Sequence, residues 1–275
     1  DALGLLWSGL ALASLMFGLE ALGHGGLGGP VGPLALVVGA GAAILYALHA
    51  RNHPAPLLDL ALLRIPTFMV SVAGGSLFRI AVGATPFLLP LMLQLGFGLS
   101  PVQSGMITFA SSAGAIVMKP AATSALRRLG FRDTLLVNGV LSALLLAVCA
   151  AFRPGWPLAA IYGVLLFGGL GRSLQFTALN TLAFADIPRG RMSAATSLYS
   201  TLQQVFITLG VTTAAATLET TMWLGGRTGP SLTDFSVAFL VVSFAALLGA
   251  PVSVLMPRSA GAELSGHKRS ASPQA

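Results

Sequence analysis

Residues 66–94 read PTFMVSVAGGSLFRIAVGATPFLLPLMLQ, and Arg79 is their single charge. At 3.6 residues per turn, Gly75, Arg79, Gly83, Pro86, Pro90 and Gln94 fall on one stripe of a helix. Val, Leu, Phe, Ile, Met and Ala fill the rest of its circumference. A bilayer crossing takes about 20 apolar residues, so this stretch is long enough to span. A guanidinium at its centre costs about 3 kcal/mol or more unless it meets a polar cavity or a partner. Two roles follow for Arg79. It faces a central cavity, or it is a structural arginine bonded to backbone carbonyls freed by Pro86 and Pro90.

The rest of the chain has the same character. Of 275 residues, 55% are hydrophobic and 8% charged, with a mean hydropathy of +0.85. Soluble domains carry about 25% charged residues, so this chain cannot cover a water-facing surface. Its apolar runs have the length of helices rather than barrel strands, which predicts an all-α integral membrane protein. The net charge of +7 does not indicate nucleic acid, because the basic residues sit at the ends of apolar runs and form no patch with interleaved aromatics. The single cysteine, Cys149, excludes an internal disulfide. The chain starts at Asp1 and its first apolar run has no basic flank, so that run does not read as a signal peptide. The expectation is the later part of a longer polypeptide.

Eight spans are predicted, at about 2–22, 31–50, 66–95, 101–122, 134–152, 157–185, 192–218 and 235–256. Ser100-Pro101 starts the fourth, with Ser as N-cap and Pro at the first helical position. Gly168-Gly169-Leu170-Gly171-Arg172 is expected to interrupt the sixth. A short amphipathic piece, Leu57 to Arg64, precedes the third. The domains are then 1–56, two linker helices and a loop; 57–257, a six-helix unit; and 258–275, a disordered tail. Arg51, Arg64, Arg127, Arg128, Arg132, Arg189, Arg191, Arg258, Lys268 and Arg269 fall on one side, and Arg153 and Arg227 on the other. This asymmetry places both chain ends in the cytoplasm.

Further polar residues mark helix faces. Gly168, Arg172, Gln175, Phe176 and Asn180 share a face of span six, either lining a cavity or, for Arg172, snorkelling to the interface. Ser193, Ser197, Ser200, Gln204 and Thr208 form a stripe on span seven, with Gln204 the best neutral cavity candidate. Ser104, Thr108, Ser112, Ala115 and Lys119 line a face of span four, where small residues permit close helix contact.

His53-Pro54-Ala55-Pro56-Leu57-Leu58-Asp59-Leu60, Leu63-Arg64-Ile65-Pro66-Thr67-Phe68, Pro86-Phe87-Leu88-Leu89-Pro90, Leu93-Gln94, Gly98-Leu99-Ser100-Pro101, Gly105 and Gln203-Gln204 with Leu209-Gly210 resemble a known family. They are similar to the second half of the 14-span drug:proton antiporters of the major facilitator superfamily, in a multidrug-resistance branch. The resemblance implies a rocker-switch exporter of small amphipathic compounds in the bacterial inner membrane. Here the first six spans are lacking, so that spans one and two are the extra central pair and spans three to eight the C-terminal half. It also implies gating residues in the loop Thr123-Ser124-Ala125-Leu126-Arg127-Arg128-Leu129-Gly130-Phe131-Arg132, namely Arg127, Arg128, Gly130 and Arg132. Arg127 occupies the place of the family's loop aspartate. The partners implied are the lipid bilayer, a small-molecule substrate and the missing N-terminal half.

All eight acids, Asp1, Glu20, Asp59, Asp133, Asp186, Glu219, Asp234 and Glu263, lie at span ends or in loops by this reading. A midplane proton carrier needs a titrating group there, so proton coupling is expected to come from the missing half. His24, His49, His53 and His267 show no metal-ligand spacing with other donors, and no metal site or cofactor is expected. No catalytic order of residues or phosphate loop appears, which argues against an enzyme. The alternative function is a truncated, non-transporting scaffold or partner subunit.

Overall fold

The computed structural model describes residues 1–23, 30–53 and 56–256. The tail expected to be disordered lies outside the described residues, as does most of the turn after the first span. Every regular element among the described residues is helical. Seven are long: α1 (Ala2–Gly23), α2 (Val31–Asn52), α3 (Pro66–Leu91), α4 (Pro101–Cys149), α5 (Leu158–Ala183), α6 (Met192–Leu224) and α7 (Leu232–Gly249). All seven are apolar enough to cross a membrane.

Local chemistry sets several ends. At α4, Ser100 Oγ accepts the Gln103 N–H at 3.3 Å, and Gln103 Oε1 accepts the Ser100 N–H at 3.0 Å. With Pro101 at the first position, this is the predicted start reinforced by a capping box. Ser231 and Asp234 make the same motif at α7. Asp234 is 1% exposed, takes the Ser231 N–H at 2.8 Å and its hydroxyl at 2.7 Å, and pairs with Arg227 at 2.5 Å. Asp234→Ala therefore removes half of the capping box and the partner of the exposed Arg227. It is expected to lower stability by about 1–2 kcal/mol, read as a lower unfolding midpoint in detergent; an unchanged midpoint overturns this.

The expected boundaries need four corrections. First, α4 runs through the predicted loop between spans four and five. A straight 49-residue helix would be about 70 Å long, far more than one bilayer. Yet Ile107 and Cys149 share one packed cluster near one end of the bundle, and Ala122, Leu126, Phe131 and Leu135 share another. The chain reverses between them, at Gly130, whose φ of 75° suits glycine. So α4 is a helical hairpin of two crossings, arms 101–129 and 131–149, and the seven long helices make eight passes. Second, α5 is continuous through Gly168–Arg172, where no break occurs. Gly169 and Gly171 instead admit the two arms of α4. Third, α6 extends to Leu224, beyond the expected end of span seven near 218. Fourth, the amphipathic piece is a short 3₁₀ turn, Leu60–Arg64, capped by Asp59 through the Ala61 N–H at 3.1 Å.

Two close crossings hold the six-helix unit together, and they match. Where α3 meets α6, a Cβ on Gly83 would lie 2.0 Å from the Ile207 carbonyl oxygen, and one on Gly210 would lie 2.1 Å from that of Ile80. Where the first arm of α4 meets α5, a Cβ on Gly114 would lie 2.1 Å from the Leu166 oxygen, and one on Gly169 would lie 2.0 Å from that of Ser111. In each case the glycine rests on the carbonyl three residues before the partner glycine. Exchanging the first three crossings of this unit with the last three converts one contact into the other. The six-helix unit is thus built from two three-crossing repeats. Small residues at such contacts let backbones approach, which drives helix association where lipid offers no hydrophobic gain.

The α1–α2 hairpin packs through Gly18 and Gly39 and docks on α6, where the Thr212 hydroxyl donates to the Leu19 carbonyl at 3.1 Å. At one end of the bundle, Tyr46, Leu58, Leu62, Phe68, Ala183, Ile187, Ala195 and Tyr199 form a core. At the other, Leu89, Met92, Leu93, Phe152, Phe235 and Phe239 form a second. The first end carries Arg51, Arg64, Arg189 and Arg191; the second carries Arg153 and Arg227. Arg191 Nε donates to Asp59 at 2.9 Å and Thr67 Oγ1 to Asp186 at 2.8 Å, tying the loop between α5 and α6 to the start of α3 and the linker before it.

Candidate functional site

The stripe on α3 divides between two environments. Gly75, Arg79 and Gly83 pack inward, and Pro86 and Pro90 open on a cavity.

Arg79 is 2% exposed and lines neither cavity described below. Its side chain folds back over Gly75, where a Cβ would lie 2.4 Å from Nη1. Helical side chains lean toward the N-terminus, which gives this direction. Nη2 donates to the Tyr199 hydroxyl at 2.5 Å. The guanidinium carbon lies 4.6 Å from the Tyr199 ring centre and 5.8 Å from that of Phe176. Two aromatic faces and one hydroxyl thus take the place of a carboxylate, with Nε left without a partner. No hydrogen bond to a carbonyl freed by Pro86 or Pro90 is formed by Arg79 among the described residues. Tyr199 is the residue that sequence reasoning missed. Its one signal was a polar tip within the Ser-rich first half of α6.

Arg172, in the middle of α5, lies between two cavities. The inner one, about 60 Å³, is bounded by Phe78, Val82, Ser142, Cys149, Leu165 and Ala246. The outer one, about 310 Å³, is bounded by Pro86, Leu89, Pro90, Thr108, Phe109 and Ser112. Thr85, Ser111 and Arg172 line both. One cation with several hydroxyls among apolar walls suits an amphipathic molecule: apolar surface supplies affinity, and the few polar groups fix orientation. Thr108 and Ser112, which read as packing residues, line this space.

The other candidates serve different tasks. Gln175 is buried and accepts from Asn138 Nδ2 at 2.8 Å while donating to the Leu135 carbonyl at 3.1 Å. Asn138 also donates to the Gly171 carbonyl at 2.8 Å. Gln175 is therefore a brace between α5 and the second arm of α4. Asn180 keeps a buried, unpaired Oδ1 one turn beyond Phe176. Gln94 lies in the π-turn Met92–Gly96 that ends α3, where its carbonyl accepts the Gly98 N–H at 3.1 Å. Gln204 borders a cavity of about 300 Å³ facing α1, with Glu20, Phe87, Thr208 and Thr212. The Ser/Thr stripe on α6 accordingly faces the α1–α2 hairpin, and Glu20 and Gln204 line the same cavity. Gly130 makes the turn of the α4 hairpin, with Arg127 and Arg128 exposed beside it and Arg132 half-buried.

A six-helix unit with an internal repeat, an Arg-bearing cavity and a docked helix pair defines a polytopic helical membrane protein. The family model of the Major Facilitator Superfamily matches residues 2–211. The chain belongs to that superfamily. Among its relatives is the protein named "Putative multidrug resistance protein MdtD" of Pectobacterium carotovorum subsp. carotovorum (strain PC1), 36% identical over 79% of this chain and 47% of the relative. Those so named in Escherichia coli O17:K52:H18 (strain UMN026 / ExPEC) and Shigella flexneri are each 31% identical over 98% of this chain and 58% of the relative. The chain thus spans about half the length of the curated relatives it matches.

Proposed function

We propose that this chain forms one side of a secondary active exporter of small amphipathic compounds, of the multidrug type, working in the bacterial inner membrane with both ends cytoplasmic. The observation that carries this reading is Arg172 between two cavities whose walls combine apolar side chains with the hydroxyls of Thr85, Thr108, Ser111 and Ser112. The fold class and the names of the relatives support it.

In this reading the outer cavity faces a second six-helix half, and substrate sits between the two. Pro86 and Pro90 shape the mouth on α3. Arg172 offers its charge to an anionic group of the substrate or to a carboxylate of the facing half. Glycine crossings let each helix pair keep its geometry while the halves rock as rigid bodies. Proton coupling belongs to the facing half, since the acids of α3 to α7 lie toward helix ends and loops. The concentration of arginine at one end of the bundle supports the orientation.

The test is efflux of a fluorescent amphipathic dye from cells producing the longer reading frame. Arg172→Ala is expected to cut efflux at least tenfold at equal protein level, and Arg172→Lys to retain a measurable part. The 275-residue chain alone is expected to give no flux in vesicles. Full efflux by Arg172→Ala, or flux by the chain alone, overturns the assignment.

A further inference from the structure

The expectation of no metal site rests on spacing along the chain, and the fold joins donors that spacing keeps apart. His49 and His53 are four residues apart at the C-terminal end of α2, so they share a face. Their ring centres lie 5.1 Å apart. The α1–α2 hairpin carries Asp1, at the start of α1, to the same place. Its Oδ1 lies 2.8 Å from His49 Nε2, and one donor atom from each of the three residues lies within 4.8 Å of the others. We propose that Asp1, His49 and His53 form a binding site for a divalent transition-metal ion of the zinc class. The ion would clasp the helix hairpin to the linker that enters the six-helix unit.

The donor set fits that ion. Two imidazoles and a carboxylate suit zinc, cobalt or nickel better than calcium or magnesium, which prefer oxygen alone. Metal–nitrogen bonds are about 2.0–2.1 Å. Two imidazoles on one tetrahedral ion then have ring centres about 5 Å apart, which is the spacing present here. Three protein ligands leave a fourth position for water.

The surroundings hold the carboxylate in place. Asp1 Oδ1 accepts the Gly4 N–H at 2.7 Å and Oδ2 accepts the Leu57 N–H at 3.1 Å, the kind of outer hydrogen bonding that orients a ligand. The Asp1 side chain is 5% exposed and that of His49 21%, while Asp1 as a residue lies at the surface, so an ion can reach the site from solvent. Next to it, Tyr46 fixes the linker, its hydroxyl donating to the Leu58 carbonyl at 2.9 Å and accepting the Leu58 N–H at 2.5 Å. An ion at this point would tie the start of α1, the end of α2 and the linker into one body. None of this depends on the transport reading.

The experiment uses the purified 275-residue chain in detergent, stripped of metal. Cobalt(II) is titrated with visible d–d absorption as the readout, and zinc is titrated by calorimetry. One equivalent is expected to bind, with the intense bands of a four-coordinate cobalt site, and zinc is expected to raise the unfolding midpoint. His49→Gln keeps a side chain able to hydrogen-bond to Asp1, and His53→Gln keeps a polar side chain at the end of α2. Each is expected to weaken association at least tenfold and to abolish the zinc-dependent midpoint shift, with helix content unchanged by circular dichroism. Absence of cobalt bands and of zinc heat at millimolar ion overturns the proposal. So does undiminished binding by both folded variants, which would leave a plain His49–Asp1 hydrogen bond as the clasp.

Discussion

Gly83→Ala is expected to lower stability by about 3 kcal/mol, and Gly83→Val to prevent the six-helix unit from assembling. The added Cβ would lie 2.0 Å from the Ile207 carbonyl oxygen, which is backbone and cannot swing aside as a side chain does. Overpacking a well-fitted interior costs about 1–3 kcal/mol even where side chains can adjust, and here α3 and α6 must separate. Separation also breaks the reciprocal contact of Gly210 with Ile80. The matched crossing predicts the same loss for Gly169→Ala, because its Cβ would lie 2.0 Å from the Ser111 carbonyl oxygen. Gly163→Ala is the control. It is also in mid-helix, a Cβ there meets nothing within 4 Å, and relief of the glycine cost should leave stability equal or raise it by about 0.5–1 kcal/mol. Equilibrium unfolding in mixed detergent micelles reads all of these. Equal stability of Gly83→Ala and Gly163→Ala would show that the crossings are looser than they stand here.

Tyr199→Phe is expected to destabilise by about 1.5–3 kcal/mol, the range for a hydrogen bond to a charged group. The phenol supplies the hydroxyl that the buried Arg79 guanidinium donates to, and removing it leaves that donor stranded. Arg79→Met should behave differently. Replacing a buried charge by an apolar side chain of similar length is often neutral or stabilising, since no desolvated cation remains. Arg79 has one hydrogen bond, two aromatic faces and an unpaired Nε. Arg79→Met is therefore expected to fold within about 1 kcal/mol of the parent or above it. Arg79→Lys should fall below Arg79→Met, because a compact, strongly hydrated ammonium cannot stack on Tyr199 as a planar guanidinium does. In the efflux assay proposed above, loss of efflux by a stable Arg79→Met would assign the charge to the working cycle. Retained efflux would make it a packing element of this state. A strongly destabilised Arg79→Met would overturn the energetic argument itself.

Much of the fold was legible in the residues, because the length of an apolar run and the residues that cap it are local properties. The eight crossings, the Ser100-Pro101 start and the turn around Gly130 all follow from such signals. Where the reading failed, a local signal had a tertiary use. The glycines at 168–171 look like a break in a helix, yet α5 runs straight through them and uses two of them as seats for α4. The polar stretch after residue 218 looks like a connection, yet α6 continues to Leu224, with Thr220 and Thr221 satisfying themselves by donating to Ala216 and Thr217 one turn back.

The candidate site was legible only as a set of residue types. Periodicity places Arg79, Pro86 and Pro90 on one stripe, but a helix in a bundle meets different neighbours along its length, so the stripe is shared between Tyr199 and a cavity. The same blindness hid the Asn138–Gln175 brace and the approach of Asp1 to His49. By itself the sequence determined that this protein is a bundle of membrane-crossing helices, because hydrophobic length and end chemistry are written along the chain; the major facilitator superfamily was reached through the resemblance of its motifs. Which side chain meets which partner was decided by tertiary structure alone, since the contacts join residues as far apart as Arg79 and Tyr199, and only the packing angles of whole helices, set by the glycine crossings, bring such groups within reach of one another.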